Sequence, residues 1–255
     1  MNISKKTKIA FAFLLMLLMV DTYGQTSTFK VTLDAGHGGK DNGAQYYGYK
    51  EKDLTLAVTL KVGKLLEQTP GINLIYTRQT DEFIELRERA KMANRANSNL
   101  FISIHCNANR SSAGNGSETY VMGMSRANMN LEVSKAENSV IFLEDNYKQT
   151  YKGFDPNNPE TLIGLITLQE SNLTSSIDLA TKIQNNFSNA ISIKNRGIKQ
   201  EPLWVLDATT MPGVLIEIGF ISNKSDVNIL ASEEGQNSIA KAIADAIISY
   251  KSENF

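Results

Sequence analysis

The chain has 255 residues, 42% of them hydrophobic, and a formal net charge of −1 at pH 7. That is enough apolar side chain for one large domain or two small ones, and too balanced a charge for broad attraction to nucleic acid or anionic lipid. The single cysteine, Cys106, excludes an internal disulfide, so stability must come from the packed core.

Lys5, Lys6 and Lys8 precede an unbroken apolar run from Ile9 to Val20. The run is too short to cross a bilayer comfortably, and its basic flank fits a secretory signal peptide over residues 1–24. Thr22-Tyr23-Gly24 offers a cleavage site, which puts the mature start near Gln25 and leaves 25–255 as the working domain. An uncleaved anchor is the alternative reading. The leader carries three lysines and one aspartate, so the remainder has a net charge of −3.

Phe29 to Leu33 reads as a β-branched strand that the glycines after Asp34 stop. Gly36, Gly38 and Gly39 surround His37 and let the chain turn sharply enough to present the imidazole. Lys50-Glu51-Lys52-Asp53 opens a helix in which Leu54, Val58, Val62 and Leu65 or Leu66 recur at helical spacing as far as Thr69-Pro70-Gly71. Glu51 sits at its N-terminus, where the macrodipole favours a carboxylate and from which it can fold back toward His37. Ile72–Tyr76 is the next strand. An amphipathic helix with Leu86, Ala90, Ala93 and Ala96 follows, and Arg78, Asp81, Arg87 and Arg89 are expected to form an ion-pair and capping cluster around the loop before it.

Leu100-Phe-Ile-Ser-Ile-His105 is a continuous apolar run, as in a strand covered on both faces, and it ends on the second of only two histidines. Both histidines close strands at their C-terminal ends, the edge at which open α/β sheets bind ligands. Two imidazoles and one carboxylate would hold zinc and leave a fourth position for water. Asp34, Asp41, Glu51 and Glu217 are the candidate carboxylates, and spacing does not choose among them. Strand alternation points Cys106 away from His105, which reads as a buried structural thiol.

After a strand at Ser117–Met122 comes an insertion over about residues 123–170. Met129, Val133, Ala136, Val140, Leu143 and Tyr147 form an apolar stripe expected on one face of a single helix. Asp155-Pro-Asn-Asn-Pro159 breaks the chain, and Glu160–Gln169 reads as a second short helix. Ser175 and Ser176 are expected to cap the next helix, Leu203–Leu206 to form a strand, and Val214–Gly219 another. Glu217 at the centre of that last run is costly to bury without a partner; beside a zinc site it would suit a general base. Gly235–Lys251 closes the chain as an amphipathic helix.

Five blocks in order carry a resemblance: Leu33-Asp-Ala-Gly-His-Gly-Gly-Lys-Asp-Asn-Gly-Ala44, Lys50-Glu-Lys-Asp53, Thr77-Arg78 with Asp81 and Leu86, Ser103-Ile-His-Cys-Asn-Ala108, and Met211-Pro-Gly-Val-Leu-Ile-Glu-Ile-Gly-Phe-Ile-Ser-Asn223. Together they resemble the type 3 zinc-dependent N-acetylmuramoyl-L-alanine amidases of cell division. The resemblance implies an α/β fold: a single three-layer α/β/α domain around a central, mostly six-stranded mixed sheet flanked by helices, with the helical insertion added. It also implies that Zn2+ is held by His37, Glu51 and His105 and that Glu217 is the catalytic carboxylate. The implied reaction cuts the amide between N-acetylmuramic acid and L-alanine of peptidoglycan, in an exported, periplasmic enzyme that remodels the wall and separates daughter cells.

Asp34 and Asn107 are the expected orienters of the imidazoles. Division amidases of this kind often carry, at this point in the chain, a helix that covers the zinc until a protein activator moves it. Here Glu137 and Glu144, seven apart and so on one helix face, are the candidate autoinhibitory ligands. No nucleic acid partner is expected, and the chain is expected to be a monomer. Two other readings stay open: a zinc peptidase that cuts within the stem peptide, and a non-catalytic wall-binding module.

Overall fold

Eight strands and eight helices follow one another through residues 28–123, 131–151 and 170–255, which a computed structural model describes. The leader at 1–24, the break at Asp155–Pro159 and the expected helix at Glu160–Gln169 lie outside the described residues. Among the described residues no helix is long and apolar enough to cross a membrane.

The first strand, β1, runs Phe29–Ala35, and a short hairpin of β2 (Gln45–Tyr46) and β3 (Tyr49–Lys50) leads into helix α1 (Glu51–Leu66). Then come β4 (Ile72–Tyr76), α2 (Leu86–Ala96), β5 (Leu100–Asn107) and β6 (Ser117–Met122). Six strands form one sheet in the order β4-β1-β5-β8-β6-β7, with β7 at Asn195–Glu201 and β8 at Gly213–Phe220. All neighbours are parallel except β6 and β8. The sheet is therefore mixed, as the resemblance implies.

Period-two alternation sorts each strand between two cores. Val31, Leu33, Ile102, Ile104, Cys106, Val214, Ile216 and Ile218 pack on one face against α1, α5 (Glu170–Ala190), α7 (Lys224–Leu230) and α8 (Glu233–Asn254). Phe101, Tyr120, Met122 and Leu215 point the other way, toward α2, the insertion and the helical turn α6 (Trp204–Asp207). Cys106 thus belongs to the first core, free and buried, as alternation predicts.

Three expectations fail in this region. Leu203–Leu206 is not a strand: Leu203 precedes α6, whose Trp204 amide donates to the Asn138 side chain at 2.8 Å. A four-residue apolar run carries too little periodicity to distinguish the two. Ser175 and Ser176 are not caps, because α5 already runs from Glu170; the Ser176 hydroxyl instead accepts the Gly213 amide. The insertion is not one helix. It divides into α3 (Leu131–Asn138), a 3-10 segment at Ser139–Leu143 and α4 (Tyr147–Thr150). The seven-residue spacing of Glu137 and Glu144 therefore spans a change of helix type, and the two carboxylates part.

Candidate active site

Asp34, Ser103, His105 and Glu217 occupy alternating positions on β1, β5 and β8, on the strand faces opposite the first core. In register, Asp34 lies beside Ser103 and His105 beside Glu217. The polar residues are thus gathered at the carboxyl end of three adjacent parallel strands, where the sequence expects a ligand.

The His37 loop is built by two buried arginines. Arg78 donates to the carbonyls of Ala35, Gly36 and Lys52, and Arg89 to those of Ala35 and His37. Arg89 also pairs with buried Asp34 at 2.8 Å, and Asp34 accepts from Thr77 and Ser103. Burial alone would raise the Asp34 carboxyl, but Arg89 and the two hydroxyls hold it below the ordinary carboxylate range. Asp81 takes Lys52 and the Gly39 amide. Three members of the expected cluster so shape the loop. The fourth, Arg87, turns to the insertion, where it donates to the Thr150 carbonyl and lies over Tyr151 and Trp204. His37 itself is left-handed at φ 61°, a strain of about 1–3 kcal/mol for a residue with a Cβ, and these bonds sustain it. A Cβ at Gly36 would lie 2.5 Å from the His105 ring, so only glycine lets the two strand ends approach this closely.

One ligand atom each from His37, Glu51, His105 and Glu137 lies within 4.8 Å of all the others. Glu51 Oε1 is 3.0 Å from His37 Nε2 and 3.3 Å from His105 Nδ1; Glu137 Oε2 is 3.0 Å from His105 Nδ1 and 3.9 Å from His37 Nε2. Despite these distances, His37 Nε2 and His105 Nδ1 are buried without a well-aligned hydrogen bond. Close donor atoms that are misaligned for one another suit convergence on an ion, and two imidazoles with carboxylate oxygens are a zinc donor set.

Burial opposes charge on both rings, yet the Glu51 charge and the Asp41 bond raise His37 to about 10, and the Glu137 and Glu51 charges raise His105 to about 10. Glu51 is driven well down in return, chiefly by His37 against the cost of its own burial. Its two oxygens also accept the amides of Cys106 and Ala44.

Asp34 and Asn107 do not orient the imidazoles. Asp34 is committed to Arg89, and Asn107 donates to Glu118 at 3.0 Å. The residue that holds a ring is Asp41, whose Oδ2 lies 2.7 Å from His37 Nδ1. Its position four residues after His37, inside the glycine loop, was the available signal. Glu217 is fully buried, and neither of its oxygens has a hydrogen-bond partner among the described residues. Burial first, then the nearby carboxylates Glu137, Glu51 and Glu118, push it well above the ordinary carboxylate range.

Of the two insertion glutamates, only Glu137 reaches the cluster. Glu144 Oε1 instead accepts the Leu86 amide at the start of α2 and the Tyr151 hydroxyl, each at 3.0 Å. The cluster opens into a cleft of about 890 Å³, lined by Glu51, Asn109, Arg110, Glu137, Arg196 and Glu217 among others.

The chain matches the model of the family described as N-acetylmuramoyl-L-alanine amidase over residues 31–249. It is 33% identical over 220 residues to YqiI of Bacillus subtilis, which covers 86% of this chain and 84% of that protein. Among solved structures it resembles the N-acetylmuramoyl-L-alanine amidase AmiC2 of Nostoc punctiforme, with a TM-score of 0.66 at 30% identity, over 88% of this chain and 98% of that one. The CwlD amidase of Clostridioides difficile, solved in complex with the GerS lipoprotein, is similar at a TM-score of 0.61 and 26% identity, over 89% and 100% of the two chains.

Proposed function

This chain belongs to the N-acetylmuramoyl-L-alanine amidase family, and from that premise we propose that it works through a zinc ion held by His37, Glu51 and His105, with Glu217 as the acid/base. Peptidoglycan amidase activity is the property of the family. The observation that carries the finer reading is the convergence of those donor atoms beside a buried, unpartnered glutamate.

When bound, zinc supplies Lewis acidity toward the scissile carbonyl and makes water a nucleophile near neutral pH. The protein's own groups do the rest. Asp41 holds the His37 ring through Nδ1 and so aims Nε2. The Cys106 and Ala44 amides fix the Glu51 carboxylate. Glu217 takes the proton of the attacking water and returns it to the nitrogen of L-alanine as the amide breaks.

Glu137 supports an autoinhibited resting state. Its carboxylate adds a fourth donor to the set, and α3 lies across the cleft on the same element. Activation then requires a partner that binds the lifted insertion better than the docked one. The complex of the similar CwlD amidase with a lipoprotein gives such a partner a precedent in that protein. The leader pattern supports export to the periplasm, and the resemblance to division amidases supports a role in separating daughter cells.

The test separates metal from proton chemistry. Glu217→Gln should keep zinc and fold while turnover on purified peptidoglycan falls by about 10²–10⁴-fold; His37→Ala or Glu51→Ala should lose zinc and activity together. Normal zinc content in Glu51→Ala would remove it from the ligand set. New L-alanine amino termini in the digest identify the bond cut.

A further inference from the structure

Arg196 has a place that the hydrolytic groups do not explain. The pairing of β6 with β7 shifts register between Ser117 and Thr119: Ser117 lies opposite Asn195, but Thr119 opposite Ile198. Arg196 and Gly197 thus stand opposite the single residue Glu118 and form a bulge, the device by which a strand re-aims a side chain beside a site. Gly116 makes room for the result. A Cβ there would lie 2.6 Å from the Arg196 Cδ, and the glycine's own φ of 113° is one that other residues rarely adopt.

The guanidinium is then fixed from two sides. Its Nε donates to Glu118 at 2.7 Å, and its plane sits 5.3 Å from the centre of the Phe220 ring. Nη1 makes a long bond of 3.4 Å to the Asn115 carbonyl. Among the described residues these use two of the five N–H donors of an arginine, and the side chain is 35% exposed at the wall of the cleft. Arg110 lines the same cleft. Pre-organised donors in a fork are the usual recognition element for a carboxylate.

Distance suggests which carboxylate. Glu118 faces Glu217 across β6 and β8, and Arg196 is on the next strand out. Two strand spacings are roughly 10 Å, the span of two or three residues of extended peptide at about 3.5 Å each. We propose that Arg196 binds the free carboxylate of the stem-peptide residue that follows L-alanine, so that the enzyme selects acidic stems over amidated ones. This rests on the amidase reading of the site, and adds a specificity determinant to it.

The test compares two synthetic muropeptides, both starting N-acetylmuramic acid, L-alanine and γ-linked D-glutamate. They differ only in whether the glutamate α-carboxyl is free or a primary amide. Release of the stem from the sugar is measured first on the parent chain and on Glu137→Ala, since failure of both overturns the amidase reading and not the subsite. On the full chain, or on Glu137→Ala where parental turnover is too slow to time, the acid should be preferred in kcat/KM by about ten- to hundredfold, the range for hydrogen bonds to a charged group. Most of that preference should lie in KM.

Arg196→Gln should bring the ratio of the two substrates to near one. Arg196→Lys keeps a cation beside buried Glu118 but loses the fork, and should give an intermediate ratio. The proposal is overturned if the parent does not distinguish the two substrates. It is equally overturned if both variants lower kcat on acid and amide alike with the ratio unchanged, since Arg196 would then serve only to neutralise Glu118.

Discussion

Removing the Glu144 carboxylate should release the insertion and raise basal activity. Glu144 accepts two bonds, one from the Leu86 amide of α2 and one from the Tyr151 hydroxyl within the same insertion, so in the proposed lid the Leu86 bond ties the insertion to the rest of the domain and the Tyr151 bond is sheltered only while it is docked. Loss of a helix-terminus acceptor costs about 1 kcal/mol, and a buried hydroxyl left without its partner costs a further ~1 kcal/mol. Together, about 2 kcal/mol shifts a docked-to-lifted equilibrium roughly 30-fold. Where the docked state predominates, Glu144→Ala should therefore hydrolyse purified peptidoglycan up to about 30-fold faster than the parent at equal zinc content. Tyr151→Phe removes only the bond on the insertion side and should give about fivefold, corresponding to ~1 kcal/mol. Dye release from labelled peptidoglycan measures the rates, and zinc is quantified on the same samples. If both variants fold, hold zinc and are no faster than the parent, these contacts do not restrain the insertion and the lid reading fails.

Asp41→Asn should weaken zinc binding by about 10- to 100-fold, as for other groups that orient a ligating imidazole, with competition against a chromophoric chelator as the measurement. In the metal-free chain His37 and His105 are both raised to about 10, so zinc must displace protons: its apparent affinity should climb from pH 6 toward pH 10 and protons should appear on loading. The same shift stabilises the metal-free fold fully below the unfolded value of about 6.5 and is lost as pH rises through about 10, so its Tm should fall over that interval; a flat Tm and a flat affinity would contradict the assignment. Export predicts a mature N-terminus near Gln25, and mass spectrometry that finds an intact Met1 on a membrane-bound form would overturn it.

The parts of the fold with strong local periodicity were readable in the sequence. Ile72–Tyr76 and Ser117–Met122 have the bounds expected; His37 lies two residues beyond β1 and His105 two residues before the end of β5, so both stand near the carboxyl ends of adjacent strands without closing them. The choice of Glu51 over Asp34 and Asp41 was not readable from spacing and came from the resemblance. What separates the three is tertiary: Asp34 is drawn off by Arg89, Asp41 binds the back of the His37 ring, and Glu51 alone faces both imidazoles. The insertion misled because heptad spacing assumes an unbroken helix, whereas the turn at Ser139–Leu143 sends Glu144 to α2. Arg196 is not legible in the sequence because a bulge leaves no mark in a polar edge strand; Gly197, just after it, is the local clue.

The two buried arginines behind the His37 loop bear on when the site takes shape. Their five bonds to the carbonyls of residues 35, 36, 37 and 52, and the Asp34 pair, are protein-to-protein contacts that need no ion. The ordering entropy of the loop is therefore met by folding, at roughly 1–2 kcal/mol per residue, and is not left to be met on metal uptake. Small zinc domains behave in the opposite way and unfold when the ion is removed. Treatment with a chelator should thus leave this chain with its secondary structure and a cooperative melt, lowered only by the mass-action contribution of the lost ligand. Activity should then return on adding zinc without any slow refolding phase. If the chain is exported, as proposed, it would then arrive folded without its ion and become competent in the time an ion takes to diffuse to it.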